Sequence, residues 1–366
     1  MRIVHVNTEH TWRGGENQVF NLMLGLRKRG HQVEAVTLPD SALMRRCRDQ
    51  GLDVFGLAMR SDADLLAAWR LARHLKNRPC DILHAQTARA HALALLARRF
   101  GTRARVVVSR RLDFPVKPNL GNRWKYRSRL VDAYIAVAGV IRDILIAAGV
   151  EPGKVAVINS SIDLSRFEGV GDRREEVRRE LGLPLDALVI GNVAALAWHK
   201  GQKDLIAAMV PVMRSIPSAW LVIVGGGEER EALETAARQS GVAGRVVMTG
   251  ARNDVPRLLT AFDVFCMSSY LEGLCNSVLE AFAMRLPVAA TRAGGLPEIV
   301  EHERTGLLAE PRDPESLAAA LVRLATDREL AARVGEAGQR LVRQGFGVDV
   351  MVDSTEALYS RLVREG

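Results

Sequence analysis

At 366 residues, 48% of them hydrophobic and 25% charged, the chain is too long for one compact core and too apolar for a disordered polymer. Its net charge of +9 is uneven: residues 1–165 hold 27 Lys+Arg against 14 Asp+Glu (+13), and residues 166–366 hold 24 against 28 (−4). No apolar run nears the ~20 residues that span a bilayer, the start reads as a strand and not a leader, and Cys47, Cys80, Cys266 and Cys275 show neither metal nor disulfide spacing, so a reduced cytoplasmic setting is expected.

Strand-like runs at 3–7, 32–37, 53–56, 82–85, 105–109, 133–137 and 155–158 alternate with helical periods at 16–29, 63–76, 89–99 and 140–148. The pattern restarts in the second half. Strands are expected at 187–193, 220–224, 246–249, 263–267 and 287–290, with helices at 205–215, 228–240, 255–261 and 278–284 between them. Residues 314–363 read as several helices. Alternation of this kind argues for parallel sheets covered on both faces. The expected fold class is therefore α/β, two doubly wound Rossmann-like domains joined near residues 159–167. Ligands in such sheets bind beyond the carboxyl ends of strands, so the expected site is a cleft that both domains face.

Four stretches carry chemistry in the right places. Gly14 and Gly15 follow the first strand and open a helix, where bare backbone approaches a ligand closely. A plain turn explains them equally well, and the three-glycine dinucleotide fingerprint is absent. Ser109-Arg110-Arg111 ends a strand and leads into a basic, aromatic segment. Residues 103–129 hold nine Lys/Arg and only Asp113 as an acid, with Phe114, Trp124 and Tyr126 interleaved. Such a segment suits an anionic membrane surface, at about 1 kcal/mol per basic side chain, and equally nucleic acid or plain solvation. Lys200 opens a helix after a strand, where an ammonium adds to the positive helix terminus and meets a diphosphate; an exposed lysine is the plain alternative.

The fourth stretch, residues 268–284, is the richest. Glu272 precedes a helix, Glu280 lies in its second turn, and the amides of Gly273, Leu274, Cys275 and Asn276 gather at its positive end. Amides there receive phosphate, and flanking carboxylates accept hydrogen bonds from sugar hydroxyls. The competing reading makes Ser277 and Glu280 an ordinary capping box and Glu272 a solvated loop acid. His5, His10, His84, His91 and His302 show no metal spacing; His84 and His91 read as structural before catalytic.

Gly14-Gly15, Lys200-Gly201, Gly225-Gly226-Gly227-Glu228, the stretch from Glu272 to Glu280, Gly294-Gly295-Leu296-Pro297-Glu298-Ile299-Val300 and Thr305-Gly306-Leu307-Leu308 together resemble the retaining GT-B glycosyltransferases of family four, of the kind that build bacterial envelope polysaccharide and lipopolysaccharide. The resemblance runs over essentially the whole chain. It implies an acceptor-binding domain at 1–165, a nucleotide-sugar-binding domain at 166–345, and a terminal helix at 346–366 that crosses back to the first. Glu272 would meet the transferred sugar, Lys200 the diphosphate, residues 273–276 the distal phosphate and Glu280 the ribose, with the base near Gly250-Ala251-Arg252. The implied donor is a UDP- or GDP-sugar, with neither cofactor nor metal. The implied acceptor is a glycan or lipid-linked molecule, at the cytoplasmic face of a membrane that residues 103–129 touch.

The chain departs from the family pattern in three places. Ala195 stands where an arginine is usual, no histidine follows the strand ending at Ser109, and Cys275 replaces a frequent glycine. Arg110 (or Arg111) is expected to restore the missing positive charge. Two other readings remain: a GT-B sugar-nucleotide epimerase or hydrolase, and a basic nucleic-acid binder that leaves the Glu272–Glu280 turn without a purpose.

Overall fold

The structure, a computed structural model, describes residues 1–365, which form two units: Met1–Ser161 with the closing segment from Val348, and Ile162–Gly347. The first is built on seven strands, β1 Arg2–Asn7, β2 Gln32–Thr37, β3 Asp53–Gly56, β4 Ile82–Ala85, β5 Arg105–Arg110, β6 Ala133–Ala136 and β7 Val155–Val157. They lie in the order β3-β2-β1-β4-β5-β6-β7, every pair parallel. The second unit has six, β8 Leu188–Val193, β9 Ala219–Val224, β10 Val246–Gly250, β11 Val264–Met267, β12 Val288–Thr291 and β13 Leu307–Ala309, in the order β10-β9-β8-β11-β12-β13, again all parallel. Both units are doubly wound α/β.

Parallel strands need crossover connections, and helices fill them on both faces, so the central strands are largely buried. β4, β6, β11, β12 and β13 are buried at every residue. Each sheet reverses its winding once, between β1 and β4 in the first unit and between β8 and β11 in the second. A crevice forms at such a point, because the flanking loops turn to opposite faces.

Local chemistry sets the helix starts. Ser41, Asp64, Thr87 and Asn119 accept hydrogen bonds from the first-turn amides of their helices, and Asp313 and Asp327 do so near the end of the second unit. Helix Leu120–Tyr126 escapes a periodicity reading because it is short and follows a proline-rich run. β13 escapes one because three residues cannot display alternation.

The last helix, Val348–Arg364, packs in the first unit along helix Gly14–Lys28. A Cβ at Gly25 would come within 2.4 Å of Val352 Cγ2, so glycine lets the two helices touch. Val352 and Tyr359 are fully buried there. Burying one such side chain stabilises by about 1.5–3 kcal/mol.

Candidate functional site

In the second unit, the chain leaving β8 is pinned by glycines. Ala194 N–H donates to Val224 O (3.0 Å) and Leu196 N–H to Gly226 O (3.0 Å). Side chains at Gly225 or Gly227 would strike Ala194 O or Leu196 O, at 1.8 and 2.2 Å. The turn Trp198–Lys200 then ends on Gly201 at φ +63°, where a Cβ would lie 2.0 Å from Ser268 O. Only glycine allows that approach. It seats the turn against the loop after β11: Ser268 Oγ donates to Lys200 O at 3.0 Å, and Tyr270 N–H to His199 O at 2.7 Å.

The result is a charged pair at the switch point. Lys200 Nζ lies 2.7 Å from Glu272 Oε2, with side chains 17% and 11% exposed. Ser269 Oγ also donates to Glu272 Oε2, at 3.1 Å. The Glu272 carbonyl accepts from Gly295 N–H at 2.9 Å, which ties the loop to the Gly294-Gly295 turn. Lys200 and Glu272 are separated by 71 residues in sequence, and two turns of bare backbone make them neighbours.

Helix Asn276–Ala283 starts just beyond, capped by Cys275 without a side-chain hydrogen bond. Ser277 is therefore its second residue, and the capping box with Glu280 does not form. Glu280 instead turns to Arg166, whose Nη1 stands 3.5 Å from Oε1, and burial pushes its carboxyl up to about 7 while the arginine pulls it down. The Cys275 thiol is buried and its pKa is raised, by burial first and by nearby Glu272 next, so it stays neutral. Gly273 and Leu274 are buried beside it. Arg252, after β10, sends Nε and Nη2 to Asp254 (2.8 and 2.7 Å) and Nη2 to Glu180 (2.8 Å). Its guanidinium is thus committed to acids of its own unit.

At the first unit's switch point, Gly14 and Gly15 open a helix whose Glu16 folds back to Arg13 N–H at 3.0 Å and accepts from Asn7 Nδ2 at 3.4 Å. The paired arginines diverge. Arg110 donates to Tyr126 Oη at 2.7 Å and to the Phe114 carbonyl, holding the loop after β5. Arg111, rather than Arg110, reaches the end of β4, donating to Gln86 O (3.1 Å) and Oε1 (2.6 Å), with its Cδ 3.9 Å from where a Cβ on Gly15 would sit. Burial lowers the Arg111 pKa to about 10.

Behind Arg111 lies a polar cluster. His84 bridges Tyr359 Oη (Nδ1, 2.6 Å) and Ser109 Oγ (Nε2, 2.7 Å), while Gln86 Nε2 lies 2.9 Å from His84 Nδ1 and 2.8 Å from His5 Nδ1. Burial holds His84 far below 6.5 and His5 at about 3, so both are neutral. His91, also lowered to about 3 by burial, packs edge-on to Tyr126 and Tyr134. A cavity of about 20 Å³ adjoins His84 and Arg111, room for one water.

Of the nine basic residues at 103–129, Arg105, Arg110, Arg111 and Lys125 serve internal contacts, to Asp132, Tyr126, Gln86 and Asp62 respectively. Arg103, Lys117, Arg123, Arg127 and Arg129 are exposed, as are Leu112 and Leu120 of the same segment. The Lys125–Asp62 pair (2.9 Å) links this segment to the turn before helix Leu65–Asn77, which exposes Leu65, Leu66 and Trp69. The sequence hides that face, since the helix is amphipathic overall. No helix of the described residues is long and apolar enough to cross a membrane. Among them, no group of three or more His, Cys, Asp or Glu is placed to hold a metal ion.

Residues 12–166 match the family described as Glycosyltransferase Family 4, and residues 173–341 match Glycosyl transferases group 1. The lipopolysaccharide core biosynthesis glycosyltransferase LpsD of Rhizobium meliloti is 27% identical over 99% of this chain and 98% of its own. LpsE of the same organism is 33% identical over 52% of this chain and 55% of its own, so the chain spans about half the length of that relative. The crystal structure of Anabaena HepE in complex with UDP superposes with a TM-score of 0.87 at 22% identity, covering 99% of this chain and 100% of that one.

Proposed function

The chain belongs to the GT-B glycosyltransferases, a family 4 domain followed by a group 1 domain, and on that premise we propose that it moves a sugar, with retention of anomeric configuration, from a nucleotide diphosphate-sugar to an acceptor hydroxyl. The observation that carries this reading is the Lys200–Glu272 pair, 2.7 Å apart at the second sheet's switch point and beside the start of helix Asn276–Ala283. An ammonium and a carboxylate in contact mark adjacent positions for an anion and for hydroxyl groups. A bound pyrophosphate would take over the ammonium and the amides of Gly273, Leu274, Cys275 and Asn276. Glu272 would then accept from the sugar, and Glu280 from the ribose.

Breaking the bond from the anomeric carbon to the phosphate oxygen leaves charge on the diphosphate. Preorganised donors aimed at that charge are usually the largest catalytic contribution. Lys200 and the helix amides supply it without a metal, and the acceptor's proton goes to a phosphate oxygen. Arg111 is better placed than Arg110 to supply the positive charge of the first unit, and near-normal turnover of both alanine variants would remove that role.

The acceptor is lipid-linked or part of a lipopolysaccharide, in line with LpsD and LpsE. Within 103–129, exposed Lys117 and Arg123 with exposed Leu112 and Leu120 offer the cations and apolar side chains that would meet an anionic bilayer. Thermal shift with UDP- and GDP-sugars tests the donor, because a ligand of the folded state raises its stability. Incubation with donor alone tests the reaction: rapid consumption without acceptor identifies an epimerase or hydrolase instead.

A further inference from the structure

The segment that opens the second unit places a charge where no motif points. Arg166 lies in the short turn Leu164–Phe167, four residues into the unit, and faces Glu280 across 3.5 Å. Glu280 is 15% exposed, against 38% for Arg166. A carboxyl so far out of water prefers its neutral form, and Arg166 is the charge that opposes this.

The other charges around the helix are engaged elsewhere. On the loop before it, Glu272 pairs with Lys200. On helix Arg328–Gly345, Glu336 pairs with Arg285 and Arg340. β11 and β12 below contribute the neutral Cys266 thiol and Thr291. Protonation matters for function, because a carboxylate can accept from both hydroxyls of a vicinal diol, whereas a carboxylic acid gives up acceptor capacity to its own O–H.

Resting on the nucleotide-binding reading above, we propose that Arg166 is a positioning residue that keeps Glu280 ionised and oriented, so that it receives the ribose hydroxyls of a nucleoside diphosphate. The arginine touches no substrate atom in this role. It acts through the carboxylate, and its influence reaches only ligands that carry the diol.

Calorimetric titration of the full-length protein with UDP and with 2′,3′-dideoxy-UDP, from pH 5.5 to 8.5, tests this. Arg166→Met is expected to weaken UDP about fivefold at pH 7 and about tenfold at pH 5.5, as for a carboxyl pKa one unit higher, and to recover most of the loss at pH 8.5. Arg166→Lys is expected to restore binding, Glu280→Gln to flatten the pH profile, and dideoxy-UDP to bind all four proteins alike. An Arg166→Met profile matching wild type, or an equal loss for dideoxy-UDP, overturns the role. Failure of the wild-type protein to bind UDP or GDP at any pH rejects the nucleotide reading itself.

Discussion

The two sheets reverse their winding in the same way, yet the chain treats the two crevices differently. In the second unit, the ends of β8 and β11 meet as glycine-lined backbone around one charged pair, Lys200 and Glu272, with a helix start alongside. In the first, the ends of β1, β4 and β5 are filled by the protein's own groups: His5, His84, Gln86, Ser109 and Arg111, joined by Tyr359 from the closing helix. One crevice offers amides and opposite charges. The other commits most of its polar side chains to one another, leaves His5 Nε2 and Arg111 Nε without partners among the described residues, and keeps its histidines neutral. Topology makes a crevice, and the residues at its rim decide what it offers.

Acid should separate the two units most. Burial lowers His5 and His91 to about 3 and His84 well below its ordinary value, so the unfolded chain takes up their protons first as the pH falls. Their contribution to stability is complete above about 6.5 and shrinks as the pH drops towards 3, by roughly 1.4 kcal/mol per histidine per pH unit. Glu280 in the second unit has the opposite sign, because its raised pKa gives stability that is full below about 4.5 and lost as the pH rises through 7. Urea unfolding between pH 7 and 4 should show the first unit losing stability ahead of the second. A shared, pH-independent midpoint would break the contrast.

Next in size is the charged pair. Lys200→Ala should raise the barrier to transfer by about 2.7–4 kcal/mol, the range for loss of one donor to a developing anion, and Glu272→Ala should also lose most turnover. Both variants should keep the wild-type circular dichroism spectrum, since the turns carrying the pair are held by hydrogen bonds to the Lys200, His199 and Glu272 carbonyls, which neither substitution removes. Wild-type rates in Lys200→Ala would reduce the pair to a surface contact.

Gly201→Val probes the seating of that pair. With φ at +63° and Ser268 O only 2.0 Å from the new Cβ, the turn must move, at about 1–3 kcal/mol of strain. Activity should fall with stability, because Lys200 rides on the same turn. The smallest effect falls on the cluster behind Arg111: Tyr359→Phe removes the 2.6 Å contact to His84 and should cost about 1 kcal/mol in denaturant unfolding while turnover stays unchanged. A large kinetic defect would extend the first unit's part in turnover from Arg111 to the cluster behind it.

The elements themselves were largely legible, because a buried parallel strand must be apolar and a crossover helix must be amphipathic. The strands from 3–7 to 287–290 announce themselves that way, whereas β13, three residues long, does not. The helix after Glu272 was legible as a helix but not in its phase. Ser277 and Glu280 have capping-box spacing, yet the helix starts at Asn276 because Cys275 takes the cap position. Arg110 and Arg111 look alike in sequence. Their opposite destinations depend on Tyr126 and Gln86, which lie 16 and 25 residues away.

Composition and periodicity alone therefore determined two doubly wound units and the uneven charge, and the run from Glu272 to Glu280 stood out by its own residue pattern as a candidate site. Tertiary structure alone decided that Lys200 touches Glu272, that Arg166 faces Glu280, that four of the nine cations at 103–129 turn inward, and that Tyr359 meets His84. The reason is physical. Hydrophobic period is a local property of the chain, written into neighbouring residues. The partner of a charge is set by distance in space, which only the packing of distant segments supplies.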